Sequence, residues 1–270
     1  MRDPFKIDGP TCISFSGGRT SAYMLWRVLQ SNGGLPSDAV VCFANTGKED
    51  EATLRFVRDC GQNWGVPITW VEYRNDEAGF AVVDYETASR NGEPFEALIR
   101  KRNYLPNPVA RFCSMELKGM VITKATGIDS GDTMVGVRAD EPHRLSKLRE
   151  RGLMLPLVDA RITKADVRAF WRSSPFDLEL EERNGITMLG NCDLCFLKHS
   201  SIIVSLIAEK PERATWWAAQ EGSITNAKIT RGGTFRSDRP SYSQMLAFTQ
   251  AQADAFGYSD DGIECVGCTD

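Results

Sequence analysis

Histidine is nearly absent. The chain has 2 in 270 residues, His143 and His199, too few for an imidazole-rich metal centre, and each is expected at the surface or in a hydrogen bond. Long apolar runs are missing as well. The longest, near Ile202–Ala208, falls far short of the ~20 residues that a membrane-crossing helix needs. The opening MRDPFKIDGPTC has no apolar core of the kind a secretory signal carries, so a cytoplasmic protein without membrane contact is expected. Positive charge is not in excess: 32 Lys and Arg stand against 36 Asp and Glu, a formal net charge of −4, which argues against a general nucleic-acid binder. Neither GxxxxGK[ST] nor GxGxxG occurs, which excludes a Walker loop and a Rossmann fingerprint. No internal repeat, low-complexity segment or clear linker interrupts the chain.

What is present is an alternation of strand and helix. Thr11 to Ser16 reads as a buried strand, Ala39 to Phe43 as a second and Ile68 to Tyr73 as a third. Between them, one helix carries Ala22, Leu25, Val28 and Leu29 on a face and ends at Asn32-Gly33-Gly34. Another buries Leu54, Val57, Cys60 and Trp64, and Thr46-Gly47-Lys48-Glu49 fits a capping box opening it. This β-α-β-α-β order implies a parallel, helix-covered sheet in an α/β fold. From Arg74 to Pro108 the pattern loosens into a partly helical excursion over one sheet edge. Met115 to Lys124 reads as helix and Thr133 to Val137 as a fourth strand. Thr163 opens a helix burying Val167, Phe170 and Trp171, and the C-terminal third is mostly helical, with helices near 200–208, 211–220 and 241–255.

The most informative local feature is Ser16-Gly17-Gly18-Arg19-Thr20-Ser21, placed between the first strand and the first helix. Two glycines let backbone approach a ligand closely, and the helix N-terminus offers unpaired N–H groups to an anion. In isolation such a Gly-Gly is a plain turn. After the first strand of a βαβ array it lies where ligands bind. Two basic segments support an anionic ligand: Arg100, Lys101, Arg102, Arg111, Lys118 and Lys124 against the single acid Glu116, and Arg138, Arg144, Lys147, Arg149 and Arg151 with three acids among them.

The 8 cysteines divide in two groups. Cys12, Cys42 and Cys60 sit in apolar runs and read as buried small hydrophobes. Cys113, Cys192, Cys195, Cys265 and Cys268 sit in polar, turn-rich contexts, and the last four form two CxxC pairs, a spacing that lets both thiolates converge on one metal. Three readings of these thiols stay open: an iron–sulfur cluster, a zinc held by Cys192, Cys195, Cys265 and Cys268, and redox disulfides.

SFSGGRTS after the first strand, FANTGKEDEATLRFV at the second, RFCSMELK in the middle and GVRADEPHR after the fourth strand together resemble the PAPS reductase-like branch of the PP-loop ATP pyrophosphatase superfamily. The resemblance implies a PP-loop nucleotide-binding core over residues 1–160 and a helical region over 161–270 that carries the CxxC pairs and packs on it. It further implies that Ser16, Gly17, Gly18, Arg19, Thr20 and Ser21 hold the phosphates or sulfate of an adenosine nucleotide. Asn45, Thr46, Gly47, Glu49 and Gly136 would border that nucleotide, with Arg111, Lys118, Arg138 and Arg144 at its anionic end. ATP-cleaving relatives have an acid where this chain has Thr20, which leans toward a sulfonucleotide such as PAPS or APS and away from magnesium–ATP. By the same resemblance, Cys113, Cys192 and Cys195 match ligand positions of a 4Fe–4S cluster. Glu264-Cys265-Val266-Gly267 is similar to a catalytic tail, which makes Cys265 nucleophile or ligand. A thioredoxin-like reductant and a homo-oligomer are expected. The rival expectations are an ATP-dependent thiolation enzyme acting on tRNA, DNA or a small molecule, and a non-catalytic nucleotide-binding module with structural zinc.

Overall fold

The computed structural model describes residues 3–225 and 233–256. Its first strand, β1 (Thr11–Ser14), is buried on both faces, and α1 (Arg19–Asn32) follows it. The helix ends as its sequence requires: Gly33 takes the left-handed conformation at φ 71° and returns its N–H to the carbonyl of Leu29. Next come β2 (Ala39–Asn45), α2 (Glu51–Trp64) and β3 (Ile68–Tyr73). Beyond them lie β4 (Phe80–Val83) and α3 (Glu93–Arg102). A continuous helical stretch then runs through α4 (Phe112–Ser114), a π-helical turn (Met115–Gly119) and α5 (Met120–Thr126) to β5 (Thr133–Val135). The rest is α6 (Pro142–Glu150), α7 (Pro156–Asp159), α8 (Lys164–Ser173), a small hairpin of β6 (Glu182–Arg183) and β7 (Ile186–Thr187), then α9 (Ser200–Glu209), α10 (Arg213–Gly222) and α11 (Tyr242–Phe256).

The sheet order is β4-β3-β2-β1-β5, with β1, β2, β3 and β5 parallel and β4 antiparallel at the edge. The chain therefore steps outward from β1 through β2 to β3, then crosses back to lay β5 on the other side of β1. That reversal puts the switch point of the strand order at the carboxyl ends of β1 and β5, the position where open α/β sheets bind ligands. The arrangement is compatible with a Rossmann-like fold. One hydrophobic cluster runs from Phe5 in the first segment to Met245 in α11, so residues on both sides of position 160 share a core. Helix α8 packs on α1, and α9, α10 and α11 pack on one another. No helix among the described residues is long and apolar enough to cross a membrane.

Three expectations need correction. Helix α2 does not start from a capping box at Thr46. Glu49 does reach back to the Thr46 amide (2.9 Å) and hydroxyl (2.7 Å), yet Gly47 lies at φ 76°, which a right-handed helix cannot contain. The helix begins after Asp50, whose carboxylate accepts from the Ala52 amide at 3.0 Å. The loose segment after Arg74 contains an additional strand, β4, which is four residues long and only partly buried, so its sequence carries no clear alternation. The first and fourth strands also end two residues early, at Ser14 and Val135, because the backbone turns into the loops described below.

Gly17 is required twice over. Its φ is 73°, and a Cβ there would lie 2.7 Å from Cγ2 of Thr53 and 3.1 Å from Cγ2 of Val57 on α2. Gly65 has a similar φ of 61° but nothing within 4 Å of a Cβ. Gly65→Ala should thus cost only left-handed strain of about 1–2 kcal/mol, whereas Gly17→Ala should add about 1–3 kcal/mol of overpacking. Urea unfolding of the two variants, compared with the parent protein, measures the difference.

Candidate functional site

The loop after β1 is shaped by its own serines. Ser21 Oγ donates to the carbonyl of Gly18 (2.9 Å) and accepts from the Ser16 amide (3.2 Å) and hydroxyl (2.9 Å). Gly18 precedes α1 in extended conformation, with no side chain capping the helix, so the first-turn amides face outward without a side-chain acceptor. On the other side of this switch point, Gly136 follows β5. A Cβ on it would fall 2.8 Å from Cα and 3.0 Å from N of Ser21. The two loops meet backbone to backbone. Arg138 closes this end: its Nη1 donates to the Thr20 hydroxyl (3.1 Å), while Asp140 (2.9 Å) and Glu141 (3.4 Å) hold the same guanidinium. Arg144 also pairs with Glu141 at 2.8 Å. Burial works against the Glu141 carboxylate, but the Arg144 hydrogen bond, the Arg138 amide and the two guanidinium charges outweigh it and lower its pKa. Of the loop residues, Arg19 turns elsewhere: it pairs with Asp177 (2.7 Å) and donates to the Leu178 carbonyl (2.6 Å).

One strand over, the end of β2 is a buried polar knot. Glu72, on β3 and fully buried, accepts from Asn45 Nδ2 (2.7 Å), the Ser89 amide (2.6 Å) and the Ser89 hydroxyl (2.8 Å). Asn45 Oδ1 in turn accepts from the Gly47 amide (3.1 Å). Glu49 receives Lys118 Nζ at 3.3 Å in addition to the two donors of Thr46. Lys118 sits in the π-helical turn, a rare geometry that recurs at functional sites. Burial would lower its pKa, but the Glu49 carboxylate outweighs that and raises it, so it stays an ammonium at neutral pH.

The thiols gather on this knot. Cys192 Sγ lies 3.4 Å from Thr46 Oγ1, and since the Thr46 hydrogen points to Glu49, the thiol is the donor. Cys195 is near enough to interact electrostatically with both Cys113 and Cys192. Burial, reinforced by Cys195, pushes the Cys113 thiol up to about 11, and burial and Glu49 push Cys192 up as well. Both are neutral at physiological pH until a metal or a cation displaces the proton. Lys198 approaches Cys192 and Cys195 too, its pKa lowered by burial despite those thiols and Asp193. Among the described residues no group of three or more His, Cys, Asp or Glu is assembled as a metal site. Cys265 and Cys268 lie outside the described residues.

The structure therefore brings together Ser16, Gly17, Gly18, Thr20, Ser21, Gly136 and Arg138 at one position, and Thr46, Glu49, Lys118, Cys113, Cys192 and Cys195 at another. Both lie beyond the carboxyl ends of neighbouring parallel strands, β1 and β2. Arg111 is exposed, its Nε donating to the Pro108 carbonyl at 3.0 Å. Sequence reasoning missed Glu72, Lys48 and Asp193. Charged residues inside apolar or motif-bearing runs were the available signal. Cys12, Cys42 and Cys60 are fully buried, in keeping with their apolar surroundings in the sequence. His199 caps α9 by accepting from the Ser201 amide at 3.3 Å, and Trp217 is fully buried packing.

Glu49→Ala should leave the buried Thr46 amide without its acceptor and the partly exposed Lys118 without its partner, costing about 1–3 kcal/mol. Glu49→Gln retains an acceptor and should cost less. Guanidinium unfolding at pH 7 ranks the two, and equal stability of all three proteins would contradict the role given to this carboxylate.

No family model matches the sequence. The chain is similar to a protein of Escherichia phage lambda, the uncharacterized nin region protein ORF290, with 34% identity over 203 residues, which cover 71% of this chain and 67% of the phage protein. At that identity and coverage, this chain belongs to the family of the lambda nin region protein ORF290.

Proposed function

We propose that this protein is a PAPS reductase-like enzyme of the PP-loop type, which binds an adenosine nucleotide at the switch point between β1 and β5 and performs thiol-assisted sulfur chemistry at the end of β2. The observation that carries the reading is the pairing of two sites on one sheet edge. A glycine turn with an uncapped helix N-terminus stands beside Arg138, and a set of three thiols with a paired lysine stands at the next strand. Anion binding is what the first site is built for. The outward amides of α1, the Thr20 hydroxyl and the Arg138 guanidinium converge, and the contact of Gly136 with Ser21 leaves no room for a side chain between the two loops.

The second site fits a thiolate-bound metal in its donor chemistry. Cys113, Cys192 and Cys195 supply soft ligands, and Lys118 and Lys198 supply positive charge to offset them. When bound there, an iron–sulfur cluster would supply a charged, polarisable centre next to the anionic end of the substrate. The chain's own groups do the rest. Arg138 and Thr20 orient the nucleotide phosphates and Lys118 faces the sulfate. A thiolate, assigned by resemblance to Cys265, attacks the sulfur and forms an S–S bond. The S–O bond to the nucleotide phosphate breaks, and that phosphate leaves with the electron pair, stabilised by Arg138. A second thiol, from a thioredoxin-class reductant, then displaces sulfite and leaves a disulfide.

The test is calorimetric titration of anaerobically purified protein with PAPS, APS and ATP, followed by a sulfite assay with dithiol reductant. Binding of one sulfonucleotide with sulfite release is expected, and Arg138→Ala should weaken that binding about tenfold. Absence of any nucleotide binding at millimolar concentration would sink the reading. Magnesium-dependent ATP cleavage stimulated by nucleic acid, without sulfite, would replace it with a thiolation enzyme.

A further inference from the structure

The turn that carries Cys192 and Cys195 is held through the two residues between them. Leu194 is fully buried, and its carbonyl accepts from the Tyr242 hydroxyl at 2.6 Å. Asp193 is 9% exposed; its Oδ1 accepts from Trp217 Nε1 (2.9 Å), and its Oδ2 lies 3.2 Å from Lys48 Nζ. Its amide also donates to the Lys48 carbonyl at 2.7 Å. Lys48, likewise 9% exposed, is gripped along its length. Its Cδ is 2.9 Å from where a Cβ of Gly92 would be, and its Nζ sits 5.2 Å from the ring centre of Trp216. Lys48 is the residue between Gly47 and Glu49, so its backbone belongs to the polar knot that ends β2.

A buried ion pair is a poor source of stability, since well-packed apolar residues do as well or better. What it fixes is position. We infer that Lys48 and Asp193 form a positioning device, in which the pair seats the Cys192–Cys195 turn on the loop after β2, with Cys192 turned toward Thr46 and Glu49 and both thiols toward Lys118. The purpose of that seating rests on the reading of these thiols as ligands or reactants, while the seating itself does not.

The experiment uses the full chain, metal-free and reduced, and follows iodoacetamide labelling of each cysteine by peptide mass spectrometry. Lys48→Met should accelerate labelling of Cys192 and Cys195 by about tenfold, with Asp193→Asn showing a smaller rise because it retains an acceptor for Trp217. Cys12, Cys42 and Cys60 should keep the parent's protection, which separates loss of seating from general loosening. Unchanged labelling at Cys192 and Cys195 in both variants overturns the inference, and so does an equal acceleration at every cysteine. Should Lys48→Met fail to fold, Trp217→Phe, which removes the indole N–H, is judged by the same pattern. Iron content after anaerobic reconstitution is counted in parallel. A parent chain that takes up no iron speaks against the metal reading, whereas the labelling pattern alone decides the role of Lys48 and Asp193.

Discussion

Two buried carboxylates, Glu72 and Glu49, organise the working edge of this sheet. A carboxylate removed from water must collect donors, and these two draw theirs in part from distant parts of the chain. Glu72 draws in Asn45 and the Ser89 segment and is reached by Arg74 at 3.2 Å. Glu49 draws in Thr46 next to it and Lys118 from the π-helical turn. The loop after β2 consequently has little freedom of its own. Its asparagine, threonine and glutamate, which the resemblance assigns to the border of a nucleotide, are spent on holding the loop in shape, and Asn45 and Thr46 are almost wholly buried. These residues act as the frame, and the groups left beside it are the uncapped amides of α1, the hydroxyl of Thr20 and the neighbouring cations.

That frame explains why two sites far apart in sequence become neighbours. β1 and β2 run parallel in register, so the Ser16–Ser21 loop and the Asn45–Glu49 loop leave the sheet side by side. The Gly136 contact fixes the first from the β5 side, and the Lys48–Asp193 pair ties the second to the cysteine turn of the C-terminal third. Positive charge is placed accordingly. The chain as a whole is acidic at −4, yet Lys118 and Lys198 approach the thiols and Arg138 approaches the glycine turn. Under the proposed reading the anionic end of a nucleotide lies between these cations.

Local pattern made much of this legible. Apart from the early end of β1 and the later start of α2, the first three strands and two helices lie where periodicity puts them, because each is set by residues within a few positions of one another: the apolar runs, the Gly33 terminator and the glycines after β1. The capping-box reading of Thr46 and Glu49 shows the limit. The two side chains do bond as the motif requires, but the conformation of Gly47, in contact with the backbone of Gly92, forbids a helix there. Edge strand β4 was hidden because a short, half-exposed strand has no inward-outward alternation to read. The thiol turn was legible as CxxC; its anchorage was not. Thr46 and Cys192 are 146 residues apart, and nothing in the composition of either segment announces the other.

The π-helical turn decides which way Lys118 points. A helix of regular pitch from Phe112 to Thr126 would rotate each residue by about 100°. One extra residue in the turn Met115–Gly119 shifts the register between Cys113, in α4 just before it, and Lys118 near its end. Cys113 can then interact with Cys195 while Lys118 still reaches Glu49. Glu116, almost buried, is paired with Arg102 of α3, and Leu117 is buried in the core, so the widened turn is pinned on its inner side by one ion pair and one apolar contact. Met115, which opens the turn, and Met120, which follows it, are left exposed. The irregular turn accommodates all three contacts, and the segment between Cys113 and Lys118 is thus as much part of the candidate site as the residues at its ends.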